Sequence, residues 1–149
     1  MKRIILYAAV FILFLSGCKG EQLQNNLTLA VQGELGDDIP VSRDLVAKMI
    51  ALAFYTKDEI KALPETTQFA DVAQDGWAYP YINAAVALEM LSGDEAGFRP
   101  EDDLTLWEAQ VMLDRLAPKY ENMIVMTDEN RNMPVSYSLW IQLFETALK

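Results

Sequence analysis

FADVAQDGWAYPYINAA, residues 69–85, contains two competing signals. Its first half, Asp71-x-x-x-Asp75-Gly76, has the spacing of half a calcium loop, whereas its second half is aromatic with apolar residues at helical intervals. A twelve-residue calcium loop starting at Asp71 needs oxygen ligands at its third and fifth positions, glycine at the sixth and a bidentate glutamate at the twelfth. Asp75 and Gly76 comply, but Ala73 and Ile82 stand at the third and twelfth. Calcium is therefore not expected, and the stretch reads as a turn leading into a helix. Pro80 suits a first helical turn, where the missing N–H needs no partner. Tyr81, Ala84, Ala85 and Leu88 form an apolar stripe behind it. Trp77 and Tyr81 fit the same helical spacing and are expected to be core anchors, with a sugar platform as the alternative. Asp71 is expected to cap the turn or the helix start.

Downstream lies a glycine-containing loop, LSGDEAGFRPEDD, residues 91–103, followed by LTLWEAQVMLDRLA from Leu104. Thr105 with Glu108 makes a capping box, in which each side chain satisfies a free backbone N–H at the helix start. Gly93 and Gly97 are expected to supply left-handed backbone positions. The acidic run Glu101, Asp102 and Asp103 could hold a cation weakly, but such a run is more often a solvated patch at a helix N-terminus favoured by the dipole.

Two further stretches superimpose on the capped helix: VSRDLVAKMIALAF from Val41 and VSYSLWIQLFETAL from Val135. Each begins with an aliphatic residue and then Ser or Thr, the pattern of an N-cap. Apolar residues recur at helical spacing in each, at Leu45, Met49 and Leu52, at Leu106, Ala109, Leu113 and Leu116, and at Trp140, Phe144 and Leu148. Such self-similarity predicts a repeat architecture with one complete unit, about 69–117, and partial units at 41–55 and 135–149. Between Pro118 and Pro134 no aromatic helix is visible. A short β-hairpin near 123–136 is the expectation there, from MIVM, a polar turn and MPVS. The fold class is thus mostly α, a small domain of helix-loop-helix units over 39–149.

The N-terminal MKRIILYAAVFILFLSGC combines two cations with an apolar run from Ile4 to Leu15 and small residues before Cys18. About a dozen apolar residues are too few to span a bilayer, which takes roughly 20, so residues 1–17 read as a secretion signal. LSGC resembles the bacterial lipobox, which implies diacylglyceryl attachment to Cys18 and cleavage just before it. The chain has one cysteine, so no internal disulfide can form and lipidation accounts for its presence in an exported protein. Membrane lipid is accordingly an expected partner, with residues 18–38 as the lipidated cysteine and a polar tether.

The net charge is −10 over 149 residues, about −12 once the signal is removed. Phosphate backbones are repelled by such a chain, and nucleic-acid binding is not expected. The chain has no histidine, which removes the commonest general base and metal ligand. Asp94, Glu95, Glu101 and Asp103 could be assembled into a carboxylate pair, but charged loops of this kind are usually just solvated. No enzyme activity, cofactor or metal is expected.

Phe69-x-Asp71-Val72, Trp77-Ala78-x-x-Tyr81-Ile82-x-x-Ala85, Gly93, Gly97-Phe98-x-Pro100 and Leu104-Thr105-x-x-Glu108 resemble one S-layer homology (SLH) unit in order and spacing. Ser42-Arg43 resembles the TRAE helix that closes a preceding unit. The resemblance implies a surface protein of a Gram-positive-type envelope, on the extracytoplasmic face. It also implies binding of a secondary cell-wall polymer, often a pyruvylated glycan, in a groove between units. Carried over residue by residue, Arg43, Asp71, Trp77, Gly93 and Arg99 are its candidate residues. Leu106 and Tyr137 replace the family arginine in the other two copies, and Glu89 stands where a glycine is common. The alternative is a non-catalytic module that binds an envelope protein or acts as a spacer, for example beside wall-remodelling proteins.

Overall fold

A computed structural model describes residues 39–66, 69–117 and 124–149. Cys18, the signal and the tether lie outside the described residues. Five helices are found among those described: α1 Arg43–Phe54, α2 Lys57–Ala62, α3 Tyr79–Ala87, α4 Leu106–Leu116 and α5 Tyr137–Ala147. The mostly helical expectation holds.

The three superimposable stretches meet at their starts. Val41 N–H donates to the Val135 carbonyl at 2.9 Å, Val135 N–H to Leu104 at 2.8 Å, and Leu104 N–H to Val41 at 2.8 Å, closing a ring. A second ring repeats the pattern: Arg43 N–H to Asp102 at 3.0 Å, Leu106 to Met133 at 2.9 Å, and Tyr137 to Ile39 at 2.8 Å. These bonds relate three sectors by a pseudo-threefold axis, and Val41, Leu104 and Val135 at its centre are fully buried. Each such side chain contributes about 1.5–3 kcal/mol by leaving water, more than the roughly 0.5–1.5 kcal/mol net of one hydrogen bond. The rings therefore set register, and the six bonds and the aliphatic centre contribute stability of comparable size.

The predicted hairpin at 123–136 is replaced by this arrangement. Residues 127–133 do turn, through Arg131 N–H to Thr127 and Met133 N–H to Asn130. The segment after the turn then pairs antiparallel with the other two sectors, Pro134 with Thr105 and Ser136 with Pro40, rather than with residues 124–126. The reason is the central ring, which gives Val135 a buried site and two backbone partners that a solvent-exposed hairpin could not match.

Caps explain where the helices begin. Thr105 and Glu108 form the expected capping box on α4, and Ser136 accepts the Leu139 amide on α5. Ser42 makes no side-chain cap on α1; its hydroxyl bonds to Asp44, whose Oδ1 also accepts the Leu45 amide at 2.7 Å. A second capping box, Thr56 with Glu59, starts the short α2, which periodicity alone does not reveal. Ala51 of α1, Ala84 of α3 and Ile60 of α2 form one buried cluster, with Tyr81 and Tyr55 against it. Small residues at 51 and 84 let the helices approach closely. Trp140 and Phe144 stack at 5.3 Å between centroids inside the α5 face.

Candidate functional site

The densest polar constellation lies between the first and second sectors. Its centre is Glu108, whose two oxygens serve different elements. Oε2 accepts the Thr105 amide at 3.0 Å and hydroxyl at 2.9 Å, closing the cap of α4. Oε1 accepts Arg43 Nη1 at 2.6 Å from α1 and Arg99 Nη2 at 2.8 Å from the glycine loop. Burial alone would raise the Glu108 pKa, but the Thr105 amide, Arg43, the Thr105 hydroxyl and Arg99 together outweigh it and hold the carboxyl below its ordinary value.

Arg43 is 2% exposed and its donors point inward. Nε reaches the Phe98 carbonyl at 2.8 Å and Nη2 the Ser92 carbonyl at 3.0 Å, while the guanidinium lies 4.9 Å from the Phe98 ring centroid. Desolvation lowers its pKa, opposed by Glu108, and leaves it a cation at any ordinary pH. It therefore ties the loop from Ser92 to Phe98 onto α1.

Asp71 performs the same task from outside. Its carboxylate accepts the Phe98 amide at 3.0 Å and the Arg99 amide at 2.6 Å, across 27 and 28 residues. Burial pushes its pKa up, yet these two backbone donors pull harder and leave it below the ordinary value. The expected local cap is thus a long-range clasp, because the exposed turn at 70–76 lies against the loop.

Two glycines differ in what they do. Gly97 has φ of +122°, the left-handed side as expected, and a Cβ there would run into the Asp71 carboxylate. Gly93 has no positive φ; its requirement is space, since a Cβ would meet the Phe69 ring and lie 2.7 Å from the Gly97 carbonyl oxygen. Arg99 and Glu89 occupy the left-handed region instead, at φ 57° and 59°. Glu89 thus has a backbone conformation that glycine adopts most readily.

Arg99 is one-third exposed at the mouth of the cluster, paired with Glu108, with Asp94 at 3.2 Å and with Asp102 at 3.4 Å. Desolvation lowers its pKa and the Glu108 hydrogen bond and charge more than restore it, so the net shift is upward. Arg43, Asp71, Gly93 and Arg99 are thus gathered around one loop.

Trp77 makes its contacts elsewhere, and the expectation of a core anchor is overturned. It is 55% exposed, because it precedes α3 in the turn and escapes the helical spacing assumed for it. Lys48 lies 5.6 Å from its ring centroid and Tyr81 6.4 Å away. Of the other tryptophans, Trp140 is fully buried and Trp107 is 46% exposed. Glu108 is the centre of this bonding network, and sequence reading treats it only as a cap; its place three residues after Thr105 marks the cap, and nothing local marks the two arginines.

Among the described residues no cluster of three metal-capable side chains occurs, and no helix is long and apolar enough to cross a membrane. No curated protein matches the chain. Residues 68–109, which run from the Asp71 clasp through the glycine loop to Glu108, match the family model of the S-layer homology domain. Over these residues the chain is therefore similar to an S-layer homology domain, a kind of module generally associated with the cell surface and envelope.

Proposed function

We infer that the chain is a surface lipoprotein, anchored through acylated Cys18, whose SLH unit associates with the cell wall through a secondary polymer. The observation that carries the reading is the loop from Ser92 to Arg99, held in one conformation by Arg43 and Asp71 at opposite sides. A loop fixed in advance loses little entropy on binding a polymer. Arg43 is spent on that fixation, so contact with an anionic polymer falls to Arg99 at the mouth, with Trp77 beside Lys48 as an exposed aromatic platform.

The test is binding of the full chain to purified walls before and after secondary polymers are stripped. Binding lost on stripping, and weakened about tenfold by Arg99→Gln, is the expected result. Equal binding to both preparations points to another wall component. Mass spectrometry of the membrane-extracted protein should show an acylated N-terminal Cys18.

A protein-interaction role is the second reading. It draws on four exposed apolar side chains, Trp107, Val125, Met133 and Leu139.

A further inference from the structure

The second sector opens onto a depression of about 350 Å³ lined by Trp107, Met126, Thr127, Asp128 and Arg131. It is the pseudosymmetric counterpart of the Arg43 corner, since the Trp107 N–H to Arg131 carbonyl bond of 3.0 Å repeats that from Asp44 to Pro100 at 2.9 Å. The chemistry is different. Arg43 is buried and its guanidinium is committed to protein acceptors, whereas Arg131 is exposed, with its guanidinium 4.9 Å from the Trp107 ring centroid. Among the described residues neither the Arg131 guanidinium nor the Asp128 carboxylate has an ion-pair partner, the other included.

The frame carrying these charges is well defined. Thr127 N–H donates to Asn130 Oδ1 at 2.8 Å, Asn130 N–H to Thr127 Oγ1 at 3.2 Å, and Asn130 Nδ2 to the Val125 carbonyl at 2.9 Å. Two opposite charges are thus presented to one depression, beyond ion-pair distance of each other. A simple anion there would face Asp128, and a simple cation would face Arg131. A neutral ligand would use neither charge. A zwitterion satisfies both, and because it is net neutral it is not repelled by a chain of charge −10.

We propose that this depression binds a free α-amino acid with an aliphatic side chain. Its carboxylate takes the planar Arg131 fork, its ammonium takes Asp128, and its side chain lies against Trp107 and Met126. Paired donors of a guanidinium match a carboxylate geometrically, which makes this the orienting contact. A volume of about 350 Å³ is at the small end of ligand sites, in keeping with one small zwitterion and some water.

The experiment titrates the full chain in detergent with leucine, N-acetylleucine, leucinamide and galacturonic acid. It follows the Trp107 indole N–H signal, identified by its loss in Trp107→Phe. Leucine should saturate, and bind at least tenfold more tightly than either blocked analogue. Arg131→Gln and Asp128→Asn should each weaken leucine about tenfold with the thermal midpoint unchanged. Equal binding of N-acetylleucine would reduce the site to a carboxylate subsite and overturn the zwitterion. Saturation by galacturonic acid without leucine would overturn it in favour of an acidic sugar. Absence of saturable leucine binding, or leucine binding indifferent to both substitutions, would overturn the proposal outright.

Discussion

Arg43 and Glu108, 65 residues apart in the chain, meet at 2.6 Å and join α1 to α4. The pair is not a surface contact: the side chains are 3% and 19% exposed. Exposed pairs contribute at most about 1 kcal/mol, but stripping one partner from a buried pair costs roughly 3–5 kcal/mol, since the other charge is left without compensation. Arg43→Met is therefore expected to lower unfolding free energy by about 3 kcal/mol in urea denaturation. Adding Glu108→Gln to it should cost less than the sum of the single changes, because the Arg43–Glu108 bond is lost only once, while Arg99 and Thr105 still hold the residue at 108. A loss below about 1 kcal/mol for Arg43→Met would show that Ser92 and Phe98 hold the loop without it.

Acid should loosen the same corner. Glu108 and Asp71 both have pKa values depressed in the folded chain, so the stabilisation they give is complete above their unfolded values, near 4. It is lost as pH falls through the lower folded values. The thermal midpoint is expected to be level from pH 7 to about 5 and to fall below that. Glu108→Gln should lower the midpoint at pH 7 and flatten the acid limb; an acid limb as steep as in the parent would place the responsible carboxylate elsewhere.

Backbone conformation separates two substitutions of opposite sign. Glu89 has φ of 59° and is exposed, so Glu89→Gly relieves a left-handed strain of about 1–2 kcal/mol, less the extra freedom glycine gives the unfolded chain. A net gain of up to about 1 kcal/mol is expected. Gly97→Ala forces a Cβ onto a φ of +122° and into the Asp71 carboxylate, and should cost about 2 kcal/mol or more. Both are measured by equilibrium denaturation, and a stabilised Gly97→Ala would contradict the clasp.

Much of this was legible in the sequence because it is local. The aliphatic-hydroxyl starts at Val41, Leu104 and Val135 announce three equivalent helices, and Thr105-x-x-Glu108 announces its cap. The ring that joins the three starts is made of backbone groups alone, so no residue type signals it. Asp71 misled for a related reason: a carboxylate near a helix start is usually a cap, and its actual donors lie 27 and 28 residues away. Trp77 misled because the helical periodicity was extended two residues ahead of the true start of α3 at Tyr79. The depression at Trp107 was invisible because its residues come from two segments that share no motif.

The pseudosymmetry itself can be tested by writing the first corner into the second. Arg43 and Glu108 stand one and three residues after their N-caps, Ser42 and Thr105. The same offsets from Thr105 and Ser136 give Leu106 and Leu139, and the backbone bonds that set the first corner recur there. Leu106→Arg alone places a half-buried guanidinium without an acidic partner and should destabilise by about 1–3 kcal/mol. Leu139→Glu alone sets a carboxylate on a one-third exposed position and should cost less. If the sectors are equivalent, the double variant forms the missing ion pair and recovers about 1 kcal/mol or more of the summed loss in a double-mutant cycle. Strict additivity would mean that the two positions do not face each other, and that the threefold relation ends at the backbone rings.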